Sequence, residues 1–323
     1  MNSFGRIFRI HLFGESHGSY IGLCIDGCPE GMPLKTADFE ADLDRRRAGA
    51  KGTTPRKEAD RPEIVSGWYN GHTTGAPLTL LFKNENTRPQ DYEASIRTPR
   101  PGHADWVAQQ RFRGFNDPRG GGHFSGRLTL ALTAAGVVAK KIIAPVNITA
   151  RLIAAGGSSD IDRVVEHALK EGDSIGGIVE CRAQPLPAGW GEPFFDSVES
   201  VISHLAFAVP AIKGVEFGSG FAAAGMSGSE HNDMILYETG ETATNYAGGI
   251  NGGLTNGNEL VFRVGVKPAS SIAKTQTTFS PASGKQESLA IKGRHDACIA
   301  LRVPVVMEAI TAIALADLKL LRK

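Results

Sequence analysis

The chain of 323 residues is short of cysteine, of net charge and of uninterrupted apolar stretches. Its four cysteines, Cys24, Cys28, Cys181 and Cys298, are too few and too scattered to form a disulfide framework in a chain this long. Cys24 and Cys28 alternate with apolar residues in a strand-like stretch. No Cys or His pair at suitable spacing completes a zinc site around them. Net charge is +1, so no global field favours nucleic acid or a membrane surface, and attraction for anions must come from local clusters. Met1 to Phe8 lacks the basic region and long apolar run of a signal peptide. No stretch approaches ~18 uninterrupted apolar residues, so no membrane span is expected and the cytosol is the expected location. Glycine is abundant, with 39 residues against a usual share of ~7%. That excess points both to tight turns and to loops through which backbone approaches a ligand. At 41% hydrophobic and 21% charged, the chain can bury a substantial core and is not disordered.

The hydrophobic pattern outlines the elements. Arg6 to Phe13 alternates polar and apolar and reads as a strand, as does Tyr20 to Asp26. A helix follows, with Thr36 as its N-cap and Leu34, Phe39 and Leu43 on one face, ending in Arg45-Arg46-Arg47. Strands are expected at Glu63–Ser66, Leu78–Lys83 and Glu259–Val266. Leu128 to Ile143 is apolar on nearly every side, which predicts a helix buried at the centre of the molecule. Shorter amphipathic helices are expected at Asp162–Leu169 and Asp196–Phe207, the second opening on an approximate capping box of Asp196 and Glu199. Val303–Leu321 reads as a closing helix with Pro304 in its first turn. Gly22–Leu43 and Gly177–Leu205 share an order of strand, proline, glycine and helix, a weak internal echo without sequence identity. No linker divides the chain, which reads as one α+β domain with sheets layered around central helices.

Four constellations carry chemistry. The first is Gly14-Glu15-Ser16-His17-Gly18, directly after a strand, where a histidine can donate a proton near neutral pH. A polar turn is the plainer reading, and the order is not that of a Gly-x-Ser-x-Gly nucleophile elbow. The second is the basic loop Arg45, Arg46, Arg47, Lys51, Arg56, Lys57 and Arg61, opposed only by Glu58 and Asp60. A charge run is commonly just a solvated face, but arginine dominates here and grips carboxylate and phosphate through two parallel bonds. No aromatic residue interleaves these charges for base stacking, so a small polyanion fits better than nucleic acid. The third runs from Arg100-Pro101-Gly102-His103-Ala104-Asp105 to Asp117-Pro118-Arg119-Gly120-Gly121-Gly122, just before the central helix. A glycine-rich turn at a helix start suits an anion, although no Walker lysine follows. The fourth comprises the donor-rich loop Lys267-Pro268-Ala269-Ser270-Ser271 and the segment Gly293-Arg294-His295-Asp296. Gly218-Ser219-Gly220-Phe221-Ala222-Ala223 matches a dinucleotide fingerprint in form only, because Gly225 and Gly228 interrupt the helix that should follow.

Taken in order, these motifs resemble the chorismate synthase family. The matching segments are Phe13–Gly18, Asp44–Arg47, Thr53–Asp60, Arg100–Asp105, Asp117–Gly122 with Ser125, Arg127 and Thr129, Lys267–Ser271 and Gly293–Asp296. The resemblance spans nearly the whole chain, and the joint order is far more specific than any one motif. It implies a β-α-β sandwich, a homotetramer and a requirement for reduced flavin mononucleotide (FMN). It implies a redox-neutral 1,4-elimination of phosphate from 5-enolpyruvylshikimate 3-phosphate, giving chorismate. By the same resemblance, His17 protonates the departing phosphate, His103 sets the protonation state of the flavin, and Asp296 relays the ring proton. Substrate contacts would be Arg46, Lys51 and Arg127, with Arg47, Arg111 and Arg302 behind them. Flavin contacts would be Ser125, Ala211, Gly252, Lys267, Pro268, Ala269, Ser270, Ser271 and Arg294. Arg46 is also associated with NADP contact in some members, although no reductase module is evident here. The chain departs from the family pattern at His123, Phe124, Leu128 and Leu132, where arginine, a small polar residue, glutamate and arginine are common. These departures keep open a flavin- or phosphate-binding relative with altered activity, and an RNA-binding protein using Arg45–Arg61 is a more distant alternative.

Overall fold

A computed structural model describes residues 2–54, 56, 58–87, 97–291 and 295–322. Two antiparallel sheets enclose a pair of central helices. The first sheet contains β1 (Ser3–Phe4), β2 (Arg9–Gly14), β3 (Tyr20–Asp26), β4 (Glu63–Ser66) and β5 (Leu78–Lys83), in the order β1-β2-β3-β5-β4. The second contains β6 (Asn147–Ala155), β7 (Gly177–Gln184), β8 (Ile212–Phe217) and β9 (Leu260–Val266), in the order β8-β9-β7-β6. Alternation dictates which face of each strand is buried. On β7, Val179, Cys181 and Ala183 point inward, and on β9, Leu260, Phe262 and Val264 do the same.

The helix α3 (Thr129–Ile143) packs against the first sheet, and α6 (Val303–Leu321) packs against the second. Between them α3 and α6 make the tightest helix pair in the molecule, because Gly136 presents no side chain to Ala309. A Cβ at Gly136 would lie 2.4 Å from that of Ala309. The expected β-α-β sandwich is therefore the observed architecture, and both helices are apolar all round because each has a sheet on one side and a helix on the other. By length and composition Ile299–Leu321 reaches what a membrane crossing needs, although polar residues interrupt its apolar run, yet 78% of its most apolar window is buried inside the protein. Its polar residues are used internally. Asp317 accepts the backbone N–H groups of Arg6, Ile7 and Phe8, and Glu308 accepts that of Ala150 and pairs with Arg45 and Lys140.

The smaller helices include α1 (Glu40–Arg46), α2 (Asp105–Phe112), α4 (Ile161–Glu171) and α5 (Val198–Ala208). Two expected caps are corrected. Thr36 opens a single 3-10 turn, Thr36–Phe39, and α1 begins only after it, because Asp38 turns back to accept the Lys35 N–H at 2.8 Å. At α5 the cap is Ser197, which accepts the Ser200 N–H at 3.1 Å, while Asp196 is drawn away to Arg6 at 2.7 Å. The Gly218 region forms a short 3-10 turn, Gly220–Gly225. The echoing strands β3 and β7 both lie inside their sheets, each with a helix following.

Candidate active site

Strand β2 ends at Gly14 with φ 106°, a conformation that favours glycine, and the chain turns into the Glu15–Gly18 loop. That loop is held from three sides. The Ser16 N–H donates to Gly122 O at 3.0 Å. Arg56 donates to Ser16 Oγ at 3.2 Å and to Ser16 O at 3.0 Å. Asn84 Nδ2 donates to Glu15 O at 3.2 Å and to Gly18 O at 2.8 Å. His123 bonds through Nδ1 with Gly14 O at 2.9 Å and lies 3.0 Å from Asn2 Oδ1 through Nε2, so it ties the triple-glycine segment to the end of β2.

Gly120, Gly121 and Gly122 have φ of 60°, 82° and 54°, so the segment is a left-handed loop rather than the first turn of α3. Its thinness has a purpose. A Cβ at Gly120 would lie 2.3 Å from the His17 ring, and one at Gly121 would lie 3.2 Å from His103 Cε1. The bare backbone is thus the partition between two histidines. His17 itself is only 6% exposed.

The basic loop delivers its arginines to different places. Arg46 is 1% exposed. Its guanidinium donates to Thr129 Oγ1 at 3.1 Å and Arg127 O at 3.0 Å and faces Asp60 at 3.4 Å. Burial, with Arg302 and Arg127 nearby, pushes the Arg46 guanidinium well below its ordinary range. Asp60 also pairs with Arg127 at 2.5 Å, so one buried carboxylate serves two buried cations. Burial lowers Arg127 as well, with Asp60 opposing.

On the opposite wall, Asp105 is bidentate to Arg100, with Oδ2 2.7 Å from Nε and Oδ1 2.7 Å from the terminal nitrogen. His103 Nδ1 lies 2.6 Å from Asp105 Oδ1. Burial pushes the Asp105 carboxyl up, but the bonds from Arg100 and His103 outweigh it and hold that carboxyl well below the usual carboxylate range. The donor-rich loop docks here. Lys267 Nζ donates to Gly102 O at 3.0 Å and to Ser270 Oγ at 2.8 Å, and Arg100 reaches Ser271 Oγ at 3.0 Å. Burial and the neighbouring Lys213 lower the Lys267 ammonium.

These walls enclose a cavity of about 810 Å³ at the end of the sandwich where α3 and α6 both begin. The positive ends of two long helices therefore meet there. Among the described residues, its lining carries Arg46, Arg100, Arg302, Lys213 and Lys267 against a single carboxylate, Asp296. Phe4, Phe124, Leu128, Leu132 and Phe207 form an apolar side. Asp296 accepts the Thr54 N–H at 2.9 Å and faces Arg302 at 3.6 Å.

Of the residues named from sequence, the structure brings Arg46, His103, Ser125, Ala211, Lys267, Pro268, Ala269, Ser270, Ser271, Asp296 and Arg302 to this cavity. His17 stands one glycine behind its wall, and Arg127 stands behind Arg46 against Asp60. Lys51 points away to Glu166 at 3.3 Å on α4, Arg47 pairs with Asp44, and Arg111 lies exposed over Phe112. Gly252 sits in an exposed hairpin turn outside the lining, and Arg294 lies outside the described residues. The sequence reading placed Arg100 and Asp105 in the third constellation but gave neither a role. It missed Asp60, which was counted only as an opposing charge, and Lys213 and His204, which carry no local signal at all.

A family model described as chorismate synthase matches residues 8–320. A chorismate synthase of Chitinophaga pinensis is 61% identical over 324 residues, covering 100% of this chain and 98% of the relative. One of Desulfovibrio desulfuricans is 44% identical over 356 residues, covering 100% of this chain and 98% of the relative. A crystal structure of a chorismate synthase superposes with a TM-score of 0.76 at 25% identity, covering 99% of this chain and 93% of the other. The matched segments carry the glycine partition, both histidine loops and the buried arginines, and the chain belongs to the chorismate synthase family.

Proposed function

We propose that this chain acts as a chorismate synthase. It would eliminate phosphate from 5-enolpyruvylshikimate 3-phosphate to give chorismate, as a carbon–oxygen lyase that depends on reduced FMN. The observation that carries this reading is the cavity of about 810 Å³ in which, among the described residues, five cationic side chains meet an apolar wall and one carboxylate. Such a lining suits a substrate with two carboxylates and a phosphate beside a ring system with its own phosphate. The residues present fit the cofactor. Phe124, Leu128, Leu132 and Phe207 would hold its ring, and Lys267, Ser125, Ser270 and Ser271 would hold its polar groups. When bound, reduced flavin supplies electron density for phosphate departure and a site for the ring proton.

The protein's own residues do the rest. Arg46 and Arg302 concentrate positive charge at the Asp296 end of the cavity. His17, pressed against Gly120, gives a proton to the departing phosphate. Asp296, held by the Thr54 N–H and by Arg302, passes the ring proton onward. His103, on the opposite wall, would hold or release the proton that sets the charge of the bound cofactor. The assembly proposed is a cytosolic homotetramer that binds no nucleic acid, and the exposed apolar run Met234–Tyr237 supports self-association.

The test is anaerobic incubation of the protein with chemically reduced FMN and the substrate. Stoichiometric phosphate and chorismate are expected. Flavin binding without turnover would point instead to a relative altered through His123, Phe124, Leu128 and Leu132, all of which line the cavity.

A further inference from the structure

We infer that Asp105 is a positioning residue, which holds His103 as its Nδ1–H tautomer and leaves Nε2 as the nitrogen that exchanges a proton with the cavity. Its consequence for turnover rests on the activity proposed above, but the geometry stands alone.

The argument starts from the 2.6 Å separation of His103 Nδ1 and Asp105 Oδ1. Two lone pairs cannot share that distance, so a proton lies between them. Asp105 stays a carboxylate because Arg100 grips both of its oxygens and donates a backbone N–H as well, at 3.1 Å. The proton therefore sits on Nδ1. Arg100 also lies 3.0 Å from Nδ1, but beside an ionised carboxylate that nitrogen is the donor. The other edge of the ring, Cε1 and Nε2, lies along the backbone of Gly121, where a Cβ would come within 3.2–3.3 Å. A side chain there would crowd the edge on which exchange takes place.

The ring also separates two spaces. It lines the main cavity on one side and a pocket of about 110 Å³ on the other, shared with Asp105, Gln109, Asn116 and Asp117. That pocket carries polar side chains among a mostly apolar lining and is large enough for a few waters, each needing ~10–15 Å³. Among the described residues, Asp105 and Arg100 contact the ring, Asp117 shares the small pocket with it, and Lys267 bonds to the carbonyl of the adjacent Gly102. His17 lies beyond the glycines. Asp105 and Arg100 both face Nδ1, and the carboxylate at 2.6 Å sets the tautomer because the Arg100 donors are already taken up by Asp105 itself.

Side-chain nitrogen NMR of His103 in the protein as purified tests this without any assay. The neutral ring is expected to be protonated at Nδ1, and a ring protonated at Nε2 overturns the inference. Asp105→Asn is expected to give mixed tautomers, and Asp105→Glu is expected to restore the Nδ1–H form in part. An unchanged ring in Asp105→Asn overturns the inference as well. In the same variants kcat is expected to fall about 10–100-fold, with KM much less affected. A scrambled tautomer with undiminished kcat would support the positioning and count against the proposed role of His103.

Discussion

At the scale of single residues, the site depends on what three glycines omit. Gly120 carries φ 60° and leaves 2.3 Å between a hypothetical Cβ and the His17 ring. Gly120→Ala is expected to cost about 1–3 kcal/mol from the left-handed backbone alone, read as a lower midpoint in urea. It should also abolish turnover by displacing His17, and an alanine variant of normal activity would show that His17 need not press on that wall. His17→Ala and Asp296→Ala are each expected to slow turnover by about 10²–10⁴-fold while flavin binding and the thermal midpoint stay near those of the parent. Near-parental rates in both would remove them from the mechanism. His103 and the Lys267–Ser271 loop stood out as polar residues in loops, but their roles followed only from the family resemblance. Lys51 was misleading for a plain reason. Five positions past Arg46 in a loop it belongs to the same charge run, yet its side chain turns to Glu166. Sequence proximity says nothing about which way a loop residue faces.

At the scale of elements, periodicity predicted α3 and α6 closely, because a helix buried on every side leaves a distinctive pattern. It failed at the caps of α1 and α5, where neighbouring polar residues compete for the same backbone groups and only the folded path of the chain decides among them. The polar residues inside α6 were equally hidden. Burial pushes the Glu308 carboxyl up, but Arg45 and Lys140 outweigh it and hold it below its ordinary value. Such a carboxyl stabilises the fold fully above its unfolded value, and the stabilisation is lost as pH falls through the folded value. The parent is therefore expected to lose stability on acidification below about 4.3, the ordinary glutamate range. Glu308→Gln should be less stable at neutral pH by about 1–3 kcal/mol and should lose less across the acid window. Denaturation curves at neutral pH and below 4.3 check both signs, and parallel losses in the two proteins would show that Glu308 is not the linked group.

At the scale of the whole molecule, a net charge of +1 conceals a strongly cationic cavity. Binding of inorganic phosphate to the purified protein is expected to weaken roughly tenfold or more as the Debye length falls from ~30 to ~8 Å with added salt. Calorimetry at two ionic strengths measures this, and salt-independent binding would mean that the anion does not enter the cavity. The sequence by itself determined an α+β domain with sheets layered around central helices, since alternation and all-round burial are local patterns, while the sandwich followed from the family resemblance and the strands Asn147–Ala155 and Ile212–Phe217 emerged only in the structure. It also determined the family, through the joint order of its motifs. Only the tertiary structure decided that Asp60 serves both Arg46 and Arg127, that Asp105 faces His103, that Lys213 joins the cavity, and that Lys51 and Gly252 stand outside it. Those are distances between segments far apart along the chain or orientations of loop side chains, and packing sets both.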